Sequence, residues 1–187
     1  MNLPKLILAS GSPRRSEILD AVGWEFEKRI PDVDESEIEG EDPGDYVMRL
    51  AQTKALAIAG LDTTRMVLGA DTTVVVDDEI IGKPKDLADA RLMIEKLSGR
   101  WHKVLTGVAI AYGSGTEVGL QSTGVKFSVL SSSETDFLVE KGEPLDKAGA
   151  YAVQAQAALF IEEIRGDYWN VVGLPISLVY RLARRFE

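Results

Sequence analysis

The sequence predicts a mixed fold of the α/β or α+β class. Apolar residues alternate between the two-residue period of strands and the 3.6-residue period of helices along the whole chain. With 187 residues, 45% hydrophobic and 27% charged, the chain is long and apolar enough for a sizeable core. No repeat, low-complexity tract or long linker breaks the pattern, so one domain, 1–187, is expected, with room for two lobes.

The elements follow in order. Residues 5–9 read as a short strand. Ser12 is a good N-cap and Pro13 suits the first helical position, so a helix runs to about Val22. Residues 24–30 form a second strand. The acidic run "PDVDESEIEGED" is a loop, and a helix spans 43–59. "MVLGADTTVVVDDEIIGKP" is a strand, a turn at Asp77-Asp78 and a short return. Asp86 caps a helix to Leu97, with Leu87, Ala90, Ile94 and Leu97 on one face. "HKVLTGVAIAY" and "GLQSTGVKFSVL" pair as a hairpin around residues 113–115. Residues 131–140 form a helix and "LDKAGAY" a short one. "ALFIEEIRGDYWNVVG" suggests another hairpin, and residues 175–186 the closing helix.

Composition excludes several chemistries. There is no cysteine, which rules out disulfides and thiolate metal sites and fits a reducing cytoplasm. The single histidine, His102, cannot build a multi-histidine metal site, and beside Trp101 it reads as structural. The amino-terminal apolar run is too short for a signal peptide or a membrane span, so no membrane partner is expected. A net charge of -9 argues against nucleic-acid binding, so an anionic ligand would need locally concentrated cations or a metal ion.

Such cations exist. "ASGSPRRSEIL" puts Ser10, Gly11 and Ser12 before a helix start, then Arg14 and Arg15 in its first turn. The helix dipole disfavours cations there. Free backbone N–H groups and guanidinium forks together suit phosphate oxygens, although solvated arginines after a Ser-Pro cap would read the same. Lys54 falls on the apolar stripe Val47, Leu50, Ala51, Ile58 and must either snorkel out or meet an anion. Asp71 interrupts an apolar strand, which is costly unless the carboxylate is paired, hydrogen-bonded or metal-bound. Glu35 lies in the acidic loop; with Asp71 it would give hard oxygen ligands for magnesium, if the two meet. Lys83 sits in "GKP", extended by Pro84, and Gln154 follows the turn at Gly149. No P-loop, Ser-His-Asp or zinc pattern occurs.

Taken in order, "LASGSPRRSEIL", "LGADTTVVVDDEIIGKP", "LDKAGAYAVQ" and "DYWNVVGLP" resemble the Maf proteins, also called septum-formation inhibitors, over nearly the whole chain. The resemblance implies an elongated mixed sheet with flanking helices and a cleft between two lobes, similar to the inosine triphosphate pyrophosphatases. It implies a nucleoside triphosphate pyrophosphatase that releases the monophosphate and pyrophosphate with a divalent metal, magnesium or manganese, in a house-cleaning role. Ser10, Arg14 and Arg15 match the family's phosphate-binding opening, Glu35 and Lys54 its acidic-loop glutamate and helix lysine. Asp71 matches the proposed proton acceptor and Lys83 the Gly-Lys-Pro lysine. On this match the catalytic set is Asp71, Glu35, Lys54 and Lys83, with Glu35 and Asp71 toward the metal. Arg14, Thr72 and Gln154 match positions linked to base selection, and "GADT" with "AGAYAVQ" is similar to the branch acting on dTTP and UTP rather than 7-methyl-GTP. Where the family often has glycine after Gln154, this chain has Ala155, which a positive φ would strain. Competing functions are a non-catalytic nucleotide-binding regulator of cell division and, last, a carboxylate-pair glycoside hydrolase. A homodimer stays open.

Overall fold

The computed structural model describes residues 3–60 and 64–186. The expected domain 1–187 takes in residues 1, 2, 61–63 and 187, which lie outside the described residues. The elements are β1 (Leu6–Ala9), α1 (Pro13–Ala21), β2 (Phe26–Lys28), α2 (Pro43–Ala59), β3 (Met66–Val76), β4 (Glu79–Ile81) and α3 (Leu87–Leu97). Then come β5 (Trp101–Tyr112), β6 (Gly115–Phe127), α4 (Ser132–Lys141), β7 (Ile161–Arg165), α5 (Tyr168–Val172) and α6 (Ile176–Ala183), with short 3-10 turns between and after them. The strands form one mixed sheet in the order β2-β1-β3-β5-β6-β7, with β4 paired to β3. No helix among the described residues is long and apolar enough to cross a membrane.

The chain divides into two compact units. The first runs up to Thr72, then takes Thr106–Gln121 and everything from Gly173 onward; the second holds Thr73–Leu105 and Ser122–Val172.

In the first unit β1 pairs in parallel with both β2 and β3, and Ala9 lies opposite Gly69. Parallel neighbours need crossovers, and α1 and α2 supply them. One face of the sheet buries Ile7, Ala9, Val67, Ala109 and Ala111 against Ala51, Ala55 and Ile58 of α2. These contacts are mostly alanine, so the helix approaches closely. At two points even alanine would not fit. A Cβ on Gly69 would lie 2.1 Å from the Ala51 carbonyl oxygen and 2.7 Å from the Ala55 nitrogen; one on Gly107 would lie 2.2 Å from the Val47 carbonyl oxygen. The α2 backbone rests directly on β3 and β5.

In the second unit β3 turns back into β4 through Asp77 and Asp78, both with positive φ (53° and 61°). That is the two-residue geometry whose twist matches a hairpin, and aspartate tolerates it. Asp86 caps α3 by accepting from the Asp89 N–H, and Ser131 with Glu134 forms a capping box on α4. Leu87, expected on the buried face of α3, is exposed at the helix's first residue, while Ala90, Ile94 and Leu97 are buried. The hairpin expected at the end of this unit is half right: β7 pairs antiparallel with β6, but "YWNVV" is the helix α5. Asp167 accepts from the Trp169 N–H (2.8 Å), which starts a helix where an alternating apolar pattern suggested a strand. Buried Asn170 then donates to the Val104 carbonyl (2.9 Å). His102 is buried against Phe127 and Tyr151, its Nε2 2.7 Å from the Tyr151 hydroxyl, so its structural reading holds.

Two measurements test these packing arguments. Gly69→Ala is expected to cost about 3 kcal/mol or more, the upper end of overpacking penalties, because the atoms it meets are helix backbone. A change in urea midpoint within error of zero would contradict the seating. Burial pushes the His102 imidazole from 6.5 down to about 4. The folded protein stays neutral there while the unfolded chain takes the proton, so stability falls as pH drops from 6.5 to about 4. The loss is on the order of 3 kcal/mol. His102→Gln is expected to lack it, read as a stability gap to the wild type that narrows across that window.

Candidate active site

Seating α2 on β3 decides what Lys54 meets. Gly69 and Asp71 are two residues apart on a strand, so they face the same side of the sheet, toward α2. Lys54, on the buried stripe of that helix, reaches Asp71 with its ammonium 2.6 Å from Oδ1, and lies 2.7 Å from Glu35 Oε1. Lys54 and Asp71 are buried; Glu35 is exposed. The lysine meets an anion rather than snorkelling, and it meets two. The carboxylates of Glu35 and Asp71, far apart in sequence, converge on one cation. A buried lysine or aspartate is tolerated when so paired; removing Lys54 would leave the Asp71 carboxylate uncompensated, whereas removing Asp71 leaves Lys54 its pair with Glu35.

Thr72, the next residue, faces the opposite side of the strand and belongs to a second cluster. Arg15 is buried in the first turn of α1. Its Nε donates to the Gly173 carbonyl (3.0 Å), Nη1 to Ser10 Oγ (2.9 Å) and Nη2 to Thr72 Oγ1 (3.1 Å). Thr72 Oγ1 also lies 3.0 Å from Thr106 Oγ1 and 3.3 Å from the Gly173 oxygen. Burial pushes the Arg15 guanidinium below its ordinary value; Asp71 pulls it back up, Arg14 lowers it and Glu35 raises it. Arg15 is therefore a tie within the protein on three of its five N–H groups. Ser12 takes the N-cap position of α1 as expected, but its side chain makes no capping hydrogen bond; instead its N–H donates to Ser10 Oγ (3.2 Å). Ser10 is thus the acceptor that organises the turn. Arg14 is half-buried at the same helix start.

Sequence reasoning missed the groups that hold the acidic loop. The Tyr46 hydroxyl donates to the Glu35 carbonyl (3.1 Å) and Arg49 Nη2 to the Ser36 carbonyl (3.1 Å). Burial, then the charges of Asp71, Glu37 and Glu35, push the Tyr46 phenol up to about 12, so it remains a donor through neutral pH. Thr106 and the Gly173 carbonyl were missed as well. Each is a buried partner in the fold, and nothing in its own sequence neighbourhood marks it.

Lys83 and Gln154 belong to the second unit, and both are exposed. The Gly82 carbonyl accepts the Gly149 N–H (3.0 Å), which ties the Gly-Lys-Pro segment to the turn that precedes Gln154. Ala155 has φ -120°, a region open to any residue, so the expected strain is absent.

The comparisons fit this arrangement. A family described as Maf-like protein matches residues 5–186. The dTTP/UTP pyrophosphatase of Symbiobacterium thermophilum is 48% identical over 184 residues, 98% of this chain and 95% of its own. That of Anaeromyxobacter dehalogenans is 47% identical over 186 residues, 97% of this chain and 94% of its own. That of Bacillus cytotoxicus is 44% identical over 185 residues, 99% and 97% respectively. Among solved structures, the Staphylococcus aureus Ham1 protein superposes with a TM-score of 0.56 at 14% identity, covering 98% of this chain and all of that one. This likeness speaks for fold alone, and it bears out the mixed sheet with flanking helices expected of an inosine triphosphate pyrophosphatase-like architecture.

The Arg15 tie has a measurable cost. Arg15→Met strands the Gly173 carbonyl and two hydroxyls without their charged donor. It is expected to destabilise by roughly 2–4 kcal/mol in urea unfolding. Arg14→Met, at a half-buried position, should cost less than half as much; equal losses would reject the distinction.

Proposed function

The chain belongs to the Maf-like protein family, and from that premise we propose that it is a nucleoside triphosphate pyrophosphatase cleaving dTTP and UTP to the monophosphate and pyrophosphate. The observation that carries the reading is the single Lys54 ammonium held between Glu35 and Asp71, beside an arginine-bearing helix start. The two carboxylates suit a cation, and the helix start supplies donors for phosphate oxygens.

The roles follow from chemistry. The α1 start, with Ser10, Arg14 and the remaining donors of Arg15, binds phosphate oxygens. Asp71 orients the attacking water at the α-phosphorus and takes its proton. Lys54 neutralises charge that grows on the phosphoryl oxygens, and Lys83, at the family's Gly-Lys-Pro lysine position, has the matching role for the leaving pyrophosphate. Thr72 and Gln154 favour a pyrimidine base by the polar groups they offer. With the strain at Ala155 absent, the loop after Gln154 is compatible with that branch.

A divalent cation, magnesium or manganese, suits the same residues. Glu35 and Asp71 offer hard oxygen donors, and an ammonium already lies against both. Among the described residues no group of three acidic, histidine or cysteine side chains gathers to cage a metal. An ion held by one or two carboxylates takes the rest of its shell from substrate phosphates and water. When bound, it would supply further positive charge at the phosphates. The lack of cysteine supports work in the cytoplasm, and the net charge of -9 favours free nucleotides over nucleic acid.

The test is pyrophosphate release from a nucleotide panel with magnesium, products separated by chromatography. The expected result is monophosphate plus pyrophosphate from dTTP and UTP, with little from 7-methyl-GTP. Asp71→Asn should keep the fold and nucleotide affinity and lose roughly 10²–10⁴-fold in turnover. Orthophosphate plus a diphosphate would refute the bond assignment. Preference for 7-methyl-GTP would refute the branch, and tight binding without turnover would favour a nucleotide-binding regulator.

A further inference from the structure

Residues 31–42 carry seven acidic side chains and, apart from a turn at 39–40, no helix or strand. Like charges in an irregular segment repel and extend it. Yet this segment delivers Glu35 to within 2.7 Å of Lys54. Lys54 alone does not explain that, because one ion pair with an exposed carboxylate is worth little.

Two side chains of α2 supply the rest, and both grip the loop by its backbone. The Tyr46 hydroxyl donates to the Glu35 carbonyl and Arg49 Nη2 to the Ser36 carbonyl, each at 3.1 Å. Arg49 also binds Glu41 through Nε and Nη2, both at 2.6 Å, which fixes the far side of the loop. Its guanidinium stands 5.6 Å from the centre of the Tyr46 ring, so the two residues brace each other. Both sit on the helix whose backbone rests on Gly69 and Gly107. The loop therefore inherits its position from the seating of α2 on the sheet.

We propose that Tyr46 and Arg49 are positioning residues: by holding the carbonyls of Glu35 and Ser36 they present the Glu35 carboxylate to Lys54 and Asp71. The proposal deepens the pyrophosphatase reading and rests on it for the kinetic part of its test. Neither residue needs to touch the nucleotide.

The experiment compares the full chain with Tyr46→Phe and Arg49→Lys. Phenylalanine keeps the ring and loses the donor; lysine keeps the charge and cannot reach the Ser36 carbonyl and both Glu41 oxygens together. Each variant is expected to lose about tenfold in kcat with dTTP, a loss of the size one positioning hydrogen bond supports. Each should also raise the magnesium concentration needed for half-maximal activity. In a Glu35→Gln background the Tyr46→Phe loss should vanish, since the carboxylate it positions is gone. Backbone hydrogen exchange without nucleotide should rise across residues 33–41 and stay unchanged in β3. Additive kinetic losses in the double variant, or unchanged exchange in the loop, would overturn the proposal. A chain without pyrophosphatase activity whose loop still loosens in both variants would overturn the functional reading and leave the positioning role standing.

Discussion

Helix α2 meets the sheet with its own backbone, through the side-chain-free surface of Gly69 and Gly107. Much of the first unit's arrangement depends on that contact. The distance between helix and strand is set by peptide groups, which do not change rotamer. Lys54 and Asp71 then face each other across a fixed gap, and an ammonium-carboxylate contact of 2.6 Å results. The loop that brings Glu35 hangs from the same helix. A helix held off the strand by larger side chains would carry Lys54, and Glu35 with it, away from Asp71 and leave that carboxylate buried without its cation.

The electrostatics on the two sides of β3 differ in kind. Toward α2, one cation is shared by two carboxylates, an arrangement with net negative charge that a further cation could join. Toward α1, Arg15 is enclosed by neutral acceptors: a carbonyl and two hydroxyls. The first cluster can exchange partners when a ligand brings charge. The second is bound in several directions at once, and a guanidinium there acts mainly as a strut for the turn after β1. The paired arginines set against the α1 dipole are thus not equivalent.

Much of this was legible in the sequence, for local reasons. The helix expected at about 43–59 is α2, and its start is marked in the chain by Pro43, with Asp42 capping it in the structure. The turn at Asp77-Asp78 was legible because few residues other than glycine accept two successive positive φ values. Lys54 and Asp71 stood out because each breaks an apolar pattern. What stayed hidden depends on distant contacts. That Glu35 joins Asp71 at Lys54 requires the loop to be pinned by Tyr46 and Arg49, which look like ordinary polar faces of a helix. The hydroxyl pair of Thr72 and Thr106 depends on strand pairing that no single stretch encodes. The short helix α5 was misread because its apolar residues alternate over too few positions to separate the two periods.

The bare contact between α2 and the sheet also bears on how the gene can vary. Every missense change of one base in a glycine codon installs a residue with a Cβ, so no such change at Gly69 or Gly107 is sterically silent. Drift at these codons is confined to their third base, whereas the alanines around them have neighbours of similar size one base away. The surface of the protein is free to diverge while two codons stay fixed by geometry, without either residue taking part in any chemistry.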